Sequence, residues 1–225
     1  GGEWTLIGNS GGRGFAGYGL TMYETIVMRH RQSAERVEFI LDRTPFYAES
    51  GGEVADHGWI EGPGFNVVVD DVQKLNGIIH HYGRLTEGSI DLSADDYITA
   101  TVDVERRHQK RIHHTATHLM HSALQEIVGM HVEQKGSVVE PNRLRFDYSH
   151  GKSLTQEEIV SIEAWVNQRI RANTEVVITE DVSMETAKAM GAVGLFGEKY
   201  GDSVRTVKAG NDSFELCGGN HANRT

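Results

Sequence analysis

One cysteine among 225 residues, Cys217, leaves no partner for an intrachain disulfide. No apolar stretch approaches the roughly 18 consecutive residues that a membrane-spanning helix needs, and no cationic-then-apolar leader precedes a small-residue cleavage site. A glycine-rich phosphate loop ending in Gly-Lys-Ser/Thr is missing too, so no ATP site is expected in this chain. Basic residues are outnumbered, 22 against 32 acidic, and the formal charge of -10 argues against indiscriminate nucleic-acid binding. These absences point to a soluble, cytoplasmic protein with no membrane partner. In such a reducing compartment a lone thiol beside 12 histidines serves as a metal ligand, a nucleophile or an inert buried side chain.

What is present suffices for a core. With 38% hydrophobic residues and 26 glycines, the apolar share is about half, near the globular norm, and the length suits one large domain or two small ones. Residues 1–32 are glycine-rich, and irregular structure with one short strand is expected there. From Arg36 the pattern alternates: Val37, Phe39 and Leu41, then 65–72, 77–85 and 97–104, separated by Gly, Asp and Asn turns. Short strands without helical period predict a small, closed or partly closed β-barrel subdomain over 1–104.

At Asp103 the period changes. Asp103 can cap a helix with Glu105 in its first turn, and Ile112, Ala116, Leu119, Ala123 and Ile127 recur at helical spacing before Gly129. Strands are expected over 131–139 and 143–148, and Thr155 to Glu158 forms a capping box opening a helix through Ile170. A strand at 176–179, a short helix capped by Ser183 and strands at 204–207 and 214–216 complete the pattern. The expected fold class is therefore α+β: the barrel subdomain followed by an α+β core over 105–225 with a long metal-binding helix.

His114 and His118 stand at i and i+4 on that helix, about 5–6 Å apart on one face, which suits two ligands of one ion. Alone the pair is weak evidence. The sole cysteine strengthens it, because Cys217-Gly218-Gly219-Asn220-His221 offers a thiolate and a third imidazole at the same spacing, around two glycines that let the backbone bend tightly. One Cys and three His match Zn2+. A metalloprotease would need Glu directly after the first histidine, where Thr115 stands. Whether all four side chains bind, closing the shell, or three bind and leave a position for water stays open at this stage.

Arg107 and Arg111 share the helical stripe of His114, His118 and His121, and Arg106 and Lys110 widen it. Cations in first turns oppose the helix dipole, so the stripe points to an anionic partner such as phosphate, although the same run also suits a solvated face. No protein general base stands out; His113 and His121 are the nearest candidates, and Glu198 and Lys199 receive no role.

Several motifs in one order carry a likeness: Phe15-Ala16-Gly17-Tyr18, the run Leu41 to Glu53, His114 to His118, Gln134 to Ser137, Leu144 to Tyr148, Gly194 to Arg205 and Cys217 to His221. The chain resembles the editing domain of alanyl-tRNA synthetases and the related freestanding trans-editing proteins. The resemblance implies a zinc-dependent hydrolase that removes serine or glycine wrongly esterified to alanine-specific tRNA, without aminoacylation by this chain alone. It implies that His114, His118, Cys217 and His221 are the metal ligands and that Gln134 is a wall of the amino-acid pocket. By the same likeness Gly51 and Gly52 would approach the site or the tRNA acceptor end from the barrel subdomain, while Arg107 and Arg111 are tRNA-binding candidates from the helical stripe alone. Two positions depart from the family's usual pattern: Glu53, where Gln is usual and would meet RNA, and Asn220, where Thr is usual.

Overall fold

The structure is a computed structural model describing residues 2–8, 10–194 and 200–225; Glu198 and Lys199 lie outside the described residues. It divides into two compact units, 1–49 with 54–107 and 50–53 with 108–225. The fold class is α+β, and none of its helices is long and apolar enough to cross a membrane.

The first unit holds strands β1 (Thr5–Leu6), β2 (Gly14–Phe15), β3 (Met22–Thr25), β4 (Val27–Gln32), β5 (Val37–Leu41), β6 (Arg43–Thr44), β7 (Gly58–Gly62), β8 (Phe65–Leu75), β9 (Ile78–Gly88) and β10 (Ile98–Val102). Eight of them form one antiparallel sheet in the order β1-β4-β5-β9-β8-β7-β10-β3, while β2 and β6 make a separate parallel pair. With β1 and β3 at its two edges, the sheet is a curled half-barrel, the partly closed of the two forms expected. The expectation of irregular structure before residue 32 is corrected, since β3 and β4 lie there with only Ile26 between them. No Gly, Pro or Asn marks that junction, which hid it from a reading based on turn residues.

Alternation builds the core of this unit. Val37, Phe39 and Leu41 of β5 meet Phe65, Val67, Val69 and Val72 of β8. The step from Val69 to Val72 breaks the period of two, and the register against β9 shifts between Val69 and Asp71: a bulge turns Val72 back to the core face. One histidine is buried in the same unit with every ring nitrogen engaged. His81 Nδ1 lies 3.1 Å from the Phe39 carbonyl, to which it donates, and Nε2 lies 2.7 Å from the Thr44 hydroxyl, which in turn accepts from Phe46 N–H. Burial is the main cause that lowers the His81 pKa to about 4.

Arg107 ends this unit's stretch of chain, and its side chain is 1% exposed. Its guanidinium donates to Asp56 Oδ2 at 2.5 and 3.1 Å, to the Leu20 carbonyl at 2.8 Å and to the Pro45 carbonyl at 2.5 Å. Asp56 Oδ2 also accepts from Tyr47 N–H. The expectation that Arg107 contacts RNA is therefore corrected: the planar five-donor group joins three loop segments and is shielded from any phosphate.

The second unit begins with most of α1 (Val104–Ile127), a 24-residue helix whose first N–H groups are capped by Asp103 Oδ1, 3.1 Å from Arg106 N. It continues with β11 (Gln134–Val139), β12 (Leu144–Tyr148), α2 (Gln156–Ala172), β13 (Val176–Ser183), α3 (Met184–Ala189), β14 (Ser203–Ala209) and β15 (Ser213–Leu216). β11 and β12 form a hairpin, and β13, β14 and β15 a three-stranded sheet in that order. Both bonds of the Thr155/Glu158 capping box are present, and Ser183 caps α3. Leu119, Ala123 and Leu124 of α1 pack with Ile162 and Trp165 of α2 and Val207 of β14.

Two outcomes are expected. Arg107→Ala leaves Asp56 buried without its counter-charge and should lower the unfolding free energy by about 3–5 kcal/mol, read by urea denaturation. His81 binds its proton more weakly folded than unfolded, so its contribution to stability is complete above pH 6.5 and is lost as pH falls from 6.5 through 4. The loss should reach about 3 kcal/mol, and His81→Gln should remove that part of the pH dependence when both proteins are titrated in urea at pH 7, 5.5 and 4.5.

Candidate metal centre

α1 presents His114 and His118 one turn apart, their ring centroids 5.2 Å from each other. The segment after β15 brings Cys217 and His221 to them: the His221 ring lies 4.2 Å from His114 and 4.4 Å from His118. One ligand atom from each of the four residues lies within 4.8 Å of every other. Cys217 Sγ is 3.4 Å from His114 Nε2 and 3.3 Å from His221 Nε2. A tetrahedral zinc with bonds of about 2.3 Å to sulfur and 2.0–2.1 Å to nitrogen sets S and N about 3.5 Å apart, so this group could hold such an ion.

The far side of each imidazole is held as well. His114 Nδ1 is 2.9 Å from Glu53 Oε1, and His221 Nδ1 is 3.0 Å from the Thr115 hydroxyl. His118 Nδ1 approaches Glu215 Oε2 at 2.8 Å, an ion contact out of line for a hydrogen bond, while Glu215 Oε1 takes His121 Nδ1 at 2.7 Å. A ring whose Nδ1 keeps its hydrogen for an outer oxygen offers the Nε2 lone pair inward, which is the arrangement that orients ligating histidines. Thr115, the residue whose identity argued against a protease, thus supports His221 and also accepts from Ala222 N–H at 3.0 Å.

Glu53 is fully buried. Its Oε1 accepts from His114 Nδ1 and from Asn220 N–H at 2.7 Å, and its Oε2 from Asn220 Nδ2 at 2.7 Å and Lys110 Nζ at 3.3 Å. At the position where the family's usual amide might meet RNA, Glu53 is instead enclosed by these donors, and the two departures from the family pattern touch each other. Burial opposes its ionisation, yet the bond from His114, the charges of Lys110 and His114 and the Asn220 amide outweigh burial and hold its pKa at about 2.

Similar balances set the other groups. Burial disfavours the charged forms of His114 and His118, but the Cys217 thiolate and Glu53 raise His114 to about 9, and Glu215 with Cys217 raises His118 to about 10. Burial also opposes the Cys217 thiolate, and the charge of His114 with the hydrogen bonds of His114 and His118 overcomes it, lowering the thiol well below its usual range. Burial and the charges of His114 and His118 lower His221 to about 3, leaving it neutral.

The glycines have distinct reasons. Neither Gly218 nor Gly219 lies in the left-handed region, so the tight bend expected there is not what requires them. A Cβ on Gly219 would stand 2.0 Å from His114 Cε1, so its smallness lets the loop close over the ring. Gly51 and Gly52 do have positive φ, 58° and 88°. They group with the second unit and not with the half-barrel; Gly52 O accepts from Val139 N–H at 2.7 Å, and a Cβ on Gly52 would meet Ser137 Oγ at 2.3 Å. Gln134 opens β11 half-buried, its amide nitrogen donating to Ser137 Oγ at 3.0 Å, and among the described residues its Oε1 makes no hydrogen bond.

Of the remaining candidates, His121 is buried against Glu215 and Phe146, His113 donates to the Gln109 carbonyl one turn back, and Arg111 is half-buried. Glu215 escaped the sequence reading, although its place on the expected strand 214–216, two residues before Cys217, is a signal for it. Lys110, expected in a cationic stripe, is fully buried beside Glu53.

With the geometry established, similarity to known proteins can be placed. A profile of the class II tRNA synthetases (A) matches residues 19–106. The alanine–tRNA ligase of Legionella pneumophila (strain Corby) is 54% identical over 186 residues, 83% of this chain and 21% of that protein. The corresponding ligase of Xanthomonas oryzae pv. oryzae (strain PXO99A) is 48% identical over 195 residues, covering 86% and 22%. That of Francisella tularensis subsp. novicida (strain U112) is 47% identical over 216 residues, covering 92% and 25%. The chain thus spans about a fifth to a quarter of the length of the curated relatives it matches.

A pH prediction follows from the raised imidazoles. A bound metal must displace protons from His114 and His118, held at about 9 and 10, whereas an ordinary histidine is free of its proton above 6.5. Apparent zinc affinity should therefore keep rising from pH 6.5 to 9; a plateau already at pH 7, in chelator competition, would contradict this charge distribution.

Proposed function

The chain is a relative of the alanine–tRNA ligases over 83 to 92% of its length, and from that premise we propose that it hydrolyses serine or glycine wrongly esterified to alanine-specific tRNA. In this reading it is the editing domain of an alanyl-tRNA synthetase, or a freestanding protein of the same activity, and α1 is its metal-binding helix. The observation that carries the reading is the convergence of His114, His118, Cys217 and His221, with an oxygen facing the outer nitrogen of each imidazole. These residues would hold Zn2+, which supplies a Lewis acid for an ester carbonyl and lowers the pKa of a bound water.

The protein's own groups then account for selection. An activating site shaped for alanine rejects glycine and serine only by around 10²-fold, so a second, hydrolytic site has to select what the first admits. Gln134, its amide nitrogen occupied by Ser137, presents Oε1 to the hydroxyl of a seryl group. Alanine leaves that acceptor unsatisfied, a difference of about 1–3 kcal/mol. This contact accounts for serine and not for glycine. The exposed Gly51 turn and Arg111 are the candidates for the RNA, and Arg107 is withdrawn from that role.

A second reading is favoured by the ligand count. Four protein ligands can close a zinc shell, which would make the chain a zinc-stapled RNA-binding module without chemistry of its own. Deacylation assays on seryl-, glycyl- and alanyl-tRNA, all on the alanine tRNA, separate the two. Selective release of serine, reduced by about 100-fold or more in Cys217→Ala, is the expected result. Intact esters with one zinc per chain would instead establish the stapled module.

A further inference from the structure

Buried carboxylates are expensive to desolvate, so one that persists beside a metal ligand is there for its contacts. Glu53 has four donors on its two oxygens. His114 Nδ1 and Asn220 N–H share Oε1, while Asn220 Nδ2 and Lys110 Nζ share Oε2. No amide side chain can match that set, because it offers a single oxygen and would turn its own N–H groups toward at least one of the donors. The contacts also reach both halves of the ligand set. His114 belongs to α1, and Asn220 lies between Cys217 and His221. Asn220 is oriented at a cost, since its Oδ1 remains buried without a hydrogen-bond partner among the described residues while Nδ2 serves Glu53.

The approach of Glu53 is itself fixed. Ser50 and Glu53 exchange backbone hydrogen bonds of 3.2 and 3.0 Å across the Gly51-Gly52 turn, and Val139 N–H anchors Gly52 on β11. The carboxylate is thereby delivered by a short, clamped turn and not by a mobile loop.

We propose that Glu53 is a positioning residue of the metal centre: it fixes His114 with Nδ1 protonated and Nε2 facing inward, and pins the Asn220 peptide so that Cys217 and His221 stand in ligating positions before an ion arrives. Lys110 balances its charge inside the fold. The inference rests on the reading that the four side chains hold zinc, but not on the substrate.

Zinc affinity of the full chain, measured without tRNA by chelator competition, tests it. Glu53→Gln should bind zinc about 10- to 100-fold more weakly, the range for loss of a partner that orients a ligating histidine. Because Glu53→Gln takes the Glu53 carboxylate from buried Lys110, a loss that can unfold the chain, Glu53→Gln with Lys110→Met is the second variant, set against Lys110→Met alone; the same loss is expected. Nitrogen-15 spectra of the zinc-loaded wild type should show His114 bonded to metal through Nε2 with a hydrogen on Nδ1, a signature that general destabilisation does not produce. Affinity within threefold of the parent in the folded variants, or ligation through Nδ1, overturns the proposal. If zinc affinity falls as expected while the wild type cleaves none of the three esters, the editing reading fails and this one stands. If the wild type edits and the variants keep their zinc, the reverse holds.

Discussion

An imidazole that ligates through one nitrogen is oriented by an outer partner at the other, and three imidazoles converging on one point call for three such partners. That constraint organises the second unit. One partner comes from the helix itself, Thr115 for His221. A second comes from β15, Glu215 for His118. The third, Glu53, comes from residues 50–53, four residues that pack with the second unit although the chain on both sides of them belongs to the first. Their positive-φ glycines and the close contact of Gly52 with Ser137 are what the delivery of one carboxylate demands.

The cationic side chains of α1 follow the same economy. Arg107 and Lys110 are both almost completely buried, each inside its own unit, and each faces a carboxylate, Asp56 or Glu53. A stripe of Arg and Lys on a helix is ordinarily a solvated face or a phosphate contact. Here two of its members serve as internal counter-ions, which is consistent with a chain of net charge -10 whose acidic residues exceed its basic ones even in the interior.

Local rules explain why some of this was legible in the sequence. The α1 helix, the capping box at Thr155 and the cap at Ser183 depend on residues three or four positions apart, and all are present where that spacing placed them. The Cys/His cluster was readable because two pairs at i, i+4 contain the only cysteine. What escaped depends on distance along the chain. Glu53 meets His114 across 61 residues and Asn220 across 167, and nothing in either neighbourhood announces the pairing. The barrel strands were recognisable from alternation, but the choice between a closed and a partly closed form was not, because closure depends on whether β1 meets β3, and each is too short to carry a pattern. His81 looked like any strand residue; only the placement of Phe39 and Thr44 around it reveals a satisfied core histidine.

Charge balance connects the outer partners to the kind of ion the cluster suits. Cys217, Glu53 and Glu215 are all held in their ionised forms, and Lys110 supplies one positive charge, so the buried group carries a net charge of -2 when its imidazoles are neutral. A low-dielectric interior does not tolerate that excess. Two histidines, His114 and His118, are raised far enough to be cationic at neutral pH, and their two protons restore neutrality. A single divalent cation bonded to the same Nε2 atoms would displace those two protons and leave the total unchanged. A monovalent ion would leave the cluster underbalanced, and a trivalent ion would overbalance it. The donor chemistry, one thiolate and three imidazoles, separately favours a borderline-soft ion over hard calcium or magnesium. Cys217 enters both balances, as one of the charges beside Glu53, Glu215 and Lys110 and as the soft donor among the ligands, and the two considerations agree with the zinc proposed for the site.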